Sequence, residues 1–177
     1  MSIANAGSAD ISRAFLEKSR SLIATDFLPK IERCLEHLTD EDVWWRPNAA
    51  SNSIGNLLLH LRGNITQWII GGVGERAYER HRQQEFDERT DIPAGELLAK
   101  LRTVVEEADE IISGLDANAL LGKRQIQNYE VTVLEAIYHV VEHFGMHTGQ
   151  IILLTKTRTG ADLKLRRPAR ETTSGRP

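Results

Sequence analysis

The sequence predicts an all-α protein, a four-helix bundle, and three observations carry that prediction. Its 177 residues match the size of one domain, with 41% hydrophobic and 27% charged residues in ordinary globular proportion. Four segments place apolar residues at three- and four-residue steps. A long polar connector between the second and third of them fits a crossover that spans a bundle. At this length folding buries roughly 70% of the unfolded surface, enough for a core without disulfides.

The first helix is expected from about Ile11 to Leu38, capped by Asp10 or Ser12, with Phe15, Leu22, Ile23, Phe27, Ile31, Leu35 and Leu38 on its apolar side. Pro29 falls inside this pattern and should kink or divide it. The following connector, Val43-Trp44-Trp45-Arg46-Pro47-Asn48, is aromatic-rich and ends at proline. Its tryptophans read as a plug at the bundle end, and Arg46 as a surface salt-bridge partner.

The second helix is expected to start near Ser51 to Ser53 and to stop at Gly71-Gly72. At 100° per residue, Ile54, Leu57, Leu58, Leu61, Ile65, Trp68 and Ile69 share one face, and Asn56, His60, Asn64 and Gln67 form a polar stripe along its border. The crossover covers Gly74 to Ile92. The third helix, about Ala94 to Leu115, carries Leu97, Leu98, Leu101, Val104, Val105, Ala108, Ile111 and Ile112 on one side. Gln125 to Val131 is polar and β-branched, compatible with an extended segment or a short strand. The fourth helix opens at Thr132, with Glu135 three residues on as a capping box, and runs to about Thr157. The domain thus spans residues 11–160, between a flexible N-terminus (1–10) and a basic, mobile tail (161–177) whose removal is expected to change neither fold nor metal content.

Composition narrows function. A net charge of −3 gives no reason to expect nucleic acid as a partner. No apolar run approaches the ~20 residues needed to cross a bilayer, and the N-terminus has no signal-peptide pattern. The single cysteine, Cys34, excludes an intrachain disulfide and fits a reducing cytoplasm. Lying among Ile31, Leu35 and Leu38, it reads as a small buried hydrophobe rather than a catalytic thiol.

The chemistry-bearing string is His139-Val140-Val141-Glu142-His143-Phe144-Gly145-Met146-His147-Thr148-Gly149-Gln150. Histidines at i, i+4 and i+8 drift only about 40° per step, so they leave one side of the helix, on the border of its apolar stripe. An i, i+4 pair can close on one metal ion, and a third ligand should come from a facing helix. His60, on the border of its own helix's apolar face, is the best candidate. Three histidines would leave coordination positions open for a small-molecule substrate. Polar lining of a bundle is the alternative that spacing alone leaves standing. His37 and His81 read as ordinary polar histidines, and Glu142 projects away from the interior edge. His139, Asn64 and Gln150 are the side chains placed to orient a ligand.

The strings Asn52-Ser53-Ile54-Gly55-Asn56-Leu57-Leu58-Leu59-His60-Leu61-Arg62-Gly63-Asn64 and His143-Phe144-Gly145-Met146-His147-Thr148-Gly149-Gln150-Ile151-Ile152 resemble the DinB-like superfamily of metal-dependent enzymes. The Trp-Trp-Arg-Pro connector, Trp44 to Pro47, resembles one branch of it. The resemblance covers about Phe15 to Leu163, and His147-Thr148-Gly149-Gln150 is its most specific element. It implies an up-down-down-up bundle and a nickel or zinc ion on His60, His143 and His147, with His139 a neighbour and not a ligand. Relatives in this superfamily include S-transferases that use bacillithiol or mycothiol, and homodimers are frequent. The expectation is therefore a cytoplasmic, homodimeric transferase joining a low-molecular-weight thiol to an electrophile. The alternatives are a metal-dependent hydrolase and a non-enzymatic, stress-related metal- or partner-binding bundle.

Overall fold

The structure is a computed structural model, and it describes residues 7–89 and 92–165. Helix α1 (Ser8–Ser21) begins three residues before the expected start. Asp10 sits inside the first turn, its carboxylate accepting from the Gly7 N–H at 3.1 Å. Pro29 lies at the start of a separate helical segment, where the helix changes type. A π-helical stretch (Leu22–Phe27) precedes it and leads into α2 (Leu28–Leu35), with the Leu28 N–H reaching the Ile23 carbonyl five residues back. The wider turn absorbs the backbone bond that proline cannot make. The helix ends at Leu35 and not Leu38, because the His37 and Leu38 N–H groups turn back to Cys34 and Leu35.

The aromatic connector holds a short helix, α3 (Asp40–Trp44), capped by Thr39 with Asp42. The Trp44 indole donates to the Ile92 carbonyl at 3.0 Å and packs against Gly55, while the Arg158 guanidinium lies over Trp45. These contacts fit a plug closing one end of the bundle. Arg46 differs from expectation. It is half-buried and donates to Ser51 O and Asn56 Oδ1, so it braces the start of the next helix.

Helix α4 (Ile54–Ile65) is capped by Ser53 with Asn56. Gly71-Gly72 does not stop it. A second π-helical stretch (Thr66–Val73) carries the chain through both glycines to Gly74, whose N–H reaches the Ile69 carbonyl. The two glycines serve packing: a side chain at Gly71 would meet the Tyr78 ring, and one at Gly72 would meet Ile126. The crossover contains one turn and a half of helix, α5 (Arg82–Asp87), and then α6 runs Ala94–Ser113. After a 3₁₀ turn (Ala117–Leu121), the expected extended stretch is an antiparallel hairpin. Strand β1 (Lys123–Ile126) pairs with β2 (Tyr129–Thr132), Ile126 opposite Tyr129. Helix α7 (Val133–Thr159) opens on the Thr132–Glu135 capping box and closes at Gly160 with φ +67°.

Together α1 with α2, α4, α6 and α7 form the bundle in up-down-down-up order, α4 packing on both α6 and α7. The core includes Ile31, Ile65, Leu101, Ile137, Val140, Phe144 and Ile151, all fully buried. Cys34 is also buried, as expected, and burial pushes its thiol pKa up. His37 is half-buried and not simply solvated. Of the presumed tail, residues 161–165 are described, and here the expectation fails. Leu163 is fully buried and its carbonyl accepts from Arg33 Nε at 3.3 Å. Cutting at Gly160 would therefore open the core. The rest of the tail, and residues 1–6 of the expected flexible N-terminus, lie outside the described residues. Among the described residues no helix is long and apolar enough to cross a membrane.

Leu101 is a fully buried residue of α6, outside the histidine cluster. Leu101→Ala is expected to lower unfolding free energy by about 2–5 kcal/mol in urea titration, with no change in metal content.

Candidate metal centre

Packing of α4 against α7 brings the three expected histidines together. Burial drives this: Ile54, Leu57, Leu58, Leu61 and Ile65 on one helix and Ile137, Val140, Phe144 and Ile151 on the other are almost wholly removed from water. The polar borders of the two apolar stripes then face each other. His143 Nε2 lies 2.9 Å from His60 Nε2 and 3.1 Å from His147 Nε2. One nitrogen from each of the three residues lies within 4.8 Å of the others.

The outer ring nitrogens decide what the inner ones present. His60 Nδ1 is 2.8 Å from Glu85 Oε2. A carboxylate only accepts, so that contact puts a proton on Nδ1 and leaves Nε2 with a bare lone pair. Arg80 Nη2 also approaches His60 Nδ1, at 3.3 Å. The shorter carboxylate contact governs, since two donors cannot bond to each other. His147 Nδ1 donates to Gln150 Oε1 at 2.6 Å, which likewise frees its Nε2. Lone pairs of at least two imidazoles thus converge on a third in a largely dry seam, His60 being 4% and His147 8% exposed. The arrangement suits a divalent cation with nitrogen ligands.

Charge reinforces it. Burial above all, then the neighbouring histidines and Arg80, lowers the His143 pKa from 6.5 to about 3. Burial likewise lowers His147 and the neighbouring His139, so His143 and His147 stay neutral and ready to act as ligands at neutral pH. Burial draws Glu85 upward. Hydrogen bonds from Arg80 and His60 outweigh it and hold the carboxyl below its ordinary range.

His139 is not brought to the cluster's centre. Its ring lies between Trp68, at 4.1 Å between centroids, and His143, at 5.3 Å, and its Nε2 accepts from Asn64 Nδ2 at 3.2 Å. Asn64 therefore orients His139, one step removed from the cluster. Gln150 does contact a member of the cluster, His147.

The site contains two residues that periodicity could not identify, Glu85 and Arg80, both from the crossover. Arg80 clamps Glu85 through Nε at 2.7 Å and Nη2 at 2.9 Å and donates to Gln67 Oε1 at 2.7 Å. Asn56 Nδ2 holds the crossover backbone at the Glu85 and Glu88 carbonyls. Every member of the polar stripe on α4 and its extension, Asn56, His60, Asn64 and Gln67, is thus occupied at this site. That stripe was the one available signal that something polar must cover α4.

A cleft of about 500 Å³ opens onto His60 and His143, walled by Trp68, Val131 and Tyr129 and with Arg82 at its side. It is large enough for a small molecule. Another cleft, of about 460 Å³, lies between α1 and the 3₁₀ turn, and no histidine lines it.

The family model described as "Protein of unknown function (DUF1572)" matches residues 10–169. Among solved structures, a DinB-like protein from Bacillus cereus ATCC 10987 is similar over 85% of this chain and 94% of that one. The TM-score is 0.66 and the identity 18%, a likeness of fold. No curated protein matches the chain.

The lowered histidine pKa values have a fixed sign. As pH falls through about 6.5, these histidines protonate in the unfolded chain but resist doing so in the metal-free fold, so stability drops with pH. Glu85, with its lowered pKa, acts in the same direction at lower pH. Thermal melts of metal-free protein should fall between about pH 7.5 and about pH 5, and His143→Asn should make that fall shallower. An equal slope in the variant would contradict the buried, neutral His143.

Proposed function

This chain belongs to the DUF1572 family, within the DinB-like superfamily, and we propose that it is a metal-dependent enzyme transferring a low-molecular-weight thiol to an electrophile. The observation that carries the reading is the convergence of His60, His143 and His147 nitrogens beside an open cleft. The donor set fits nickel or zinc, which imidazole nitrogen suits. When bound at those histidines, such an ion lowers the pKa of a coordinating thiol and makes it a nucleophile at neutral pH.

The chain's own groups support thiol chemistry over hydrolysis. Glu85 is tied to His60 and Arg80, and Glu135, at the cleft wall, is tied to Thr132 in the α7 cap. His139 Nε2 already accepts from Asn64. Among the described residues, the carboxylate and the imidazoles that line the cleft each already hold a hydrogen-bond partner. Thiol transfer needs neither a strong base nor an acid for a leaving group once the thiol is activated. Trp68, Val131 and Tyr129 supply an apolar wall for an electrophile.

The test is metal content by mass spectrometry on purified wild type and His147→Ala, then thiol consumption with a haloalkyl electrophile after loading with Zn²⁺ or Ni²⁺. Wild type should hold about one ion per chain and the variant at least tenfold less, with thiol consumption falling in parallel. Wild type that remains empty after reloading would end the metalloenzyme reading. A loaded wild type inert toward bacillithiol, mycothiol and simpler thiols would leave a metal-binding bundle without transferase activity.

A further inference from the structure

The crossover does more than connect α4 to α6. Among the described residues, Glu85 is the only carboxylate within hydrogen-bond distance of a histidine of the cluster. Its side chain and that of Arg80 are buried, 11% and 6% exposed, and they meet in a two-point ion pair. A charged pair in such a place needs a seat, and Gly63 is that seat. A Cβ at Gly63 would come within 2.0 Å of Glu85 Oε1 and 2.8 Å of Arg80 Nε. Both obstructing atoms end flexible side chains, so an alanine would not break α4. It would displace the ion pair, and with it the acceptor that His60 Nδ1 uses.

We propose that Glu85, clamped by Arg80 and seated on Gly63, is the positioning residue for His60, so that metal binding and docking of the crossover on α4 stabilise each other. The inference rests on the metal-binding reading above. Glu85 holds the His60 tautomer with Nε2 bare and the ring aimed at His143, the arrangement in which carboxylates orient metal-ligating histidines elsewhere. Asn56 secures the same segment through the Glu85 and Glu88 carbonyls, so the carboxylate arrives only when the crossover is docked. If docking favours the ion, the ion favours docking by the same factor.

The experiment measures Zn²⁺ affinity of the full chain by chelator competition and, separately, the rate of trypsin cleavage within the crossover, which carries Arg76, Arg80, Arg82 and Arg89. Zinc should slow that cleavage in wild type. Glu85→Ala should weaken zinc binding about 10–100-fold and speed cleavage with and without zinc. Glu85→Gln, which keeps an acceptor for Nδ1–H, should recover part of the affinity. Gly63→Ala should reproduce the loss with Glu85 and Arg80 both intact, while helix content by circular dichroism holds, since alanine favours helix over glycine. Glu79→Gln, on an exposed pair with His81, should change neither readout. Wild-type affinity in both Glu85→Ala and Gly63→Ala, or cleavage indifferent to zinc in wild type, overturns the coupling alone. Wild type that takes up no zinc overturns the metal-binding reading together with it.

Discussion

Three imidazole rings forced into one dry seam between α4 and α7 set the terms for the rest of this molecule. The apolar stripes of the two helices bury each other, and the histidines on their borders must follow. Buried polar atoms need partners, since an unpaired one costs about 1–3 kcal/mol. Each outer contact of the cluster answers that demand. Glu85 serves His60, Gln150 serves His147, and Asn64 serves the adjoining His139. The bare Nε2 atoms of His60 and His147 are left facing His143 Nε2, a set of nitrogen donors that suits a cation.

The crossover follows from the same constraint. A bundle in which the second and third helices run the same way requires a long connector, and here the connector is put to use over the polar stripe of α4. Its ion pair is not a major source of stability, because removing both charges from water offsets much of their attraction. Its contribution is directional. The bidentate clamp from Arg80 leaves Glu85 little freedom, and Gln67 in turn fixes Arg80. The link continues to the hairpin, where Gln127 Nε2 donates to Gln67 Oε1. The second π-helical stretch also supplies residues to the site. It follows Ile65 and carries Gln67, which holds Arg80, and Trp68, which stacks on His139 at the cleft. Wider turns of this kind recur at functional sites because they re-aim side chains without ending a helix.

Much of this architecture is local and was legible in the sequence. Apolar spacing defines the four helices, and Thr132 with Glu135 marks the start of the last one. Steps of four along His139, His143 and His147 put those residues on one face, and the border position of His60 selects it as the partner. These properties depend only on how a helix repeats, so neighbours in sequence suffice to find them. The failures are equally specific. Gly71-Gly72 read as a stop because glycine is a poor helix former, whereas packing against Tyr78 and Ile126 decides its role. Leu163 read as part of a tail because its neighbours are basic, whereas the core takes it in.

The sequence by itself determined the helices, their buried faces and which histidines could share an ion. Only the tertiary structure decided that Glu85 and Arg80, 25 and 20 residues from His60 along a polar connector, would seat on Gly63 and complete the site. The physical reason is that periodicity records which way a side chain leaves its own helix. The partner it meets depends on the path of the crossover in space; the polar stripe around His60 marks that α4 is covered there, without identifying the residues that cover it.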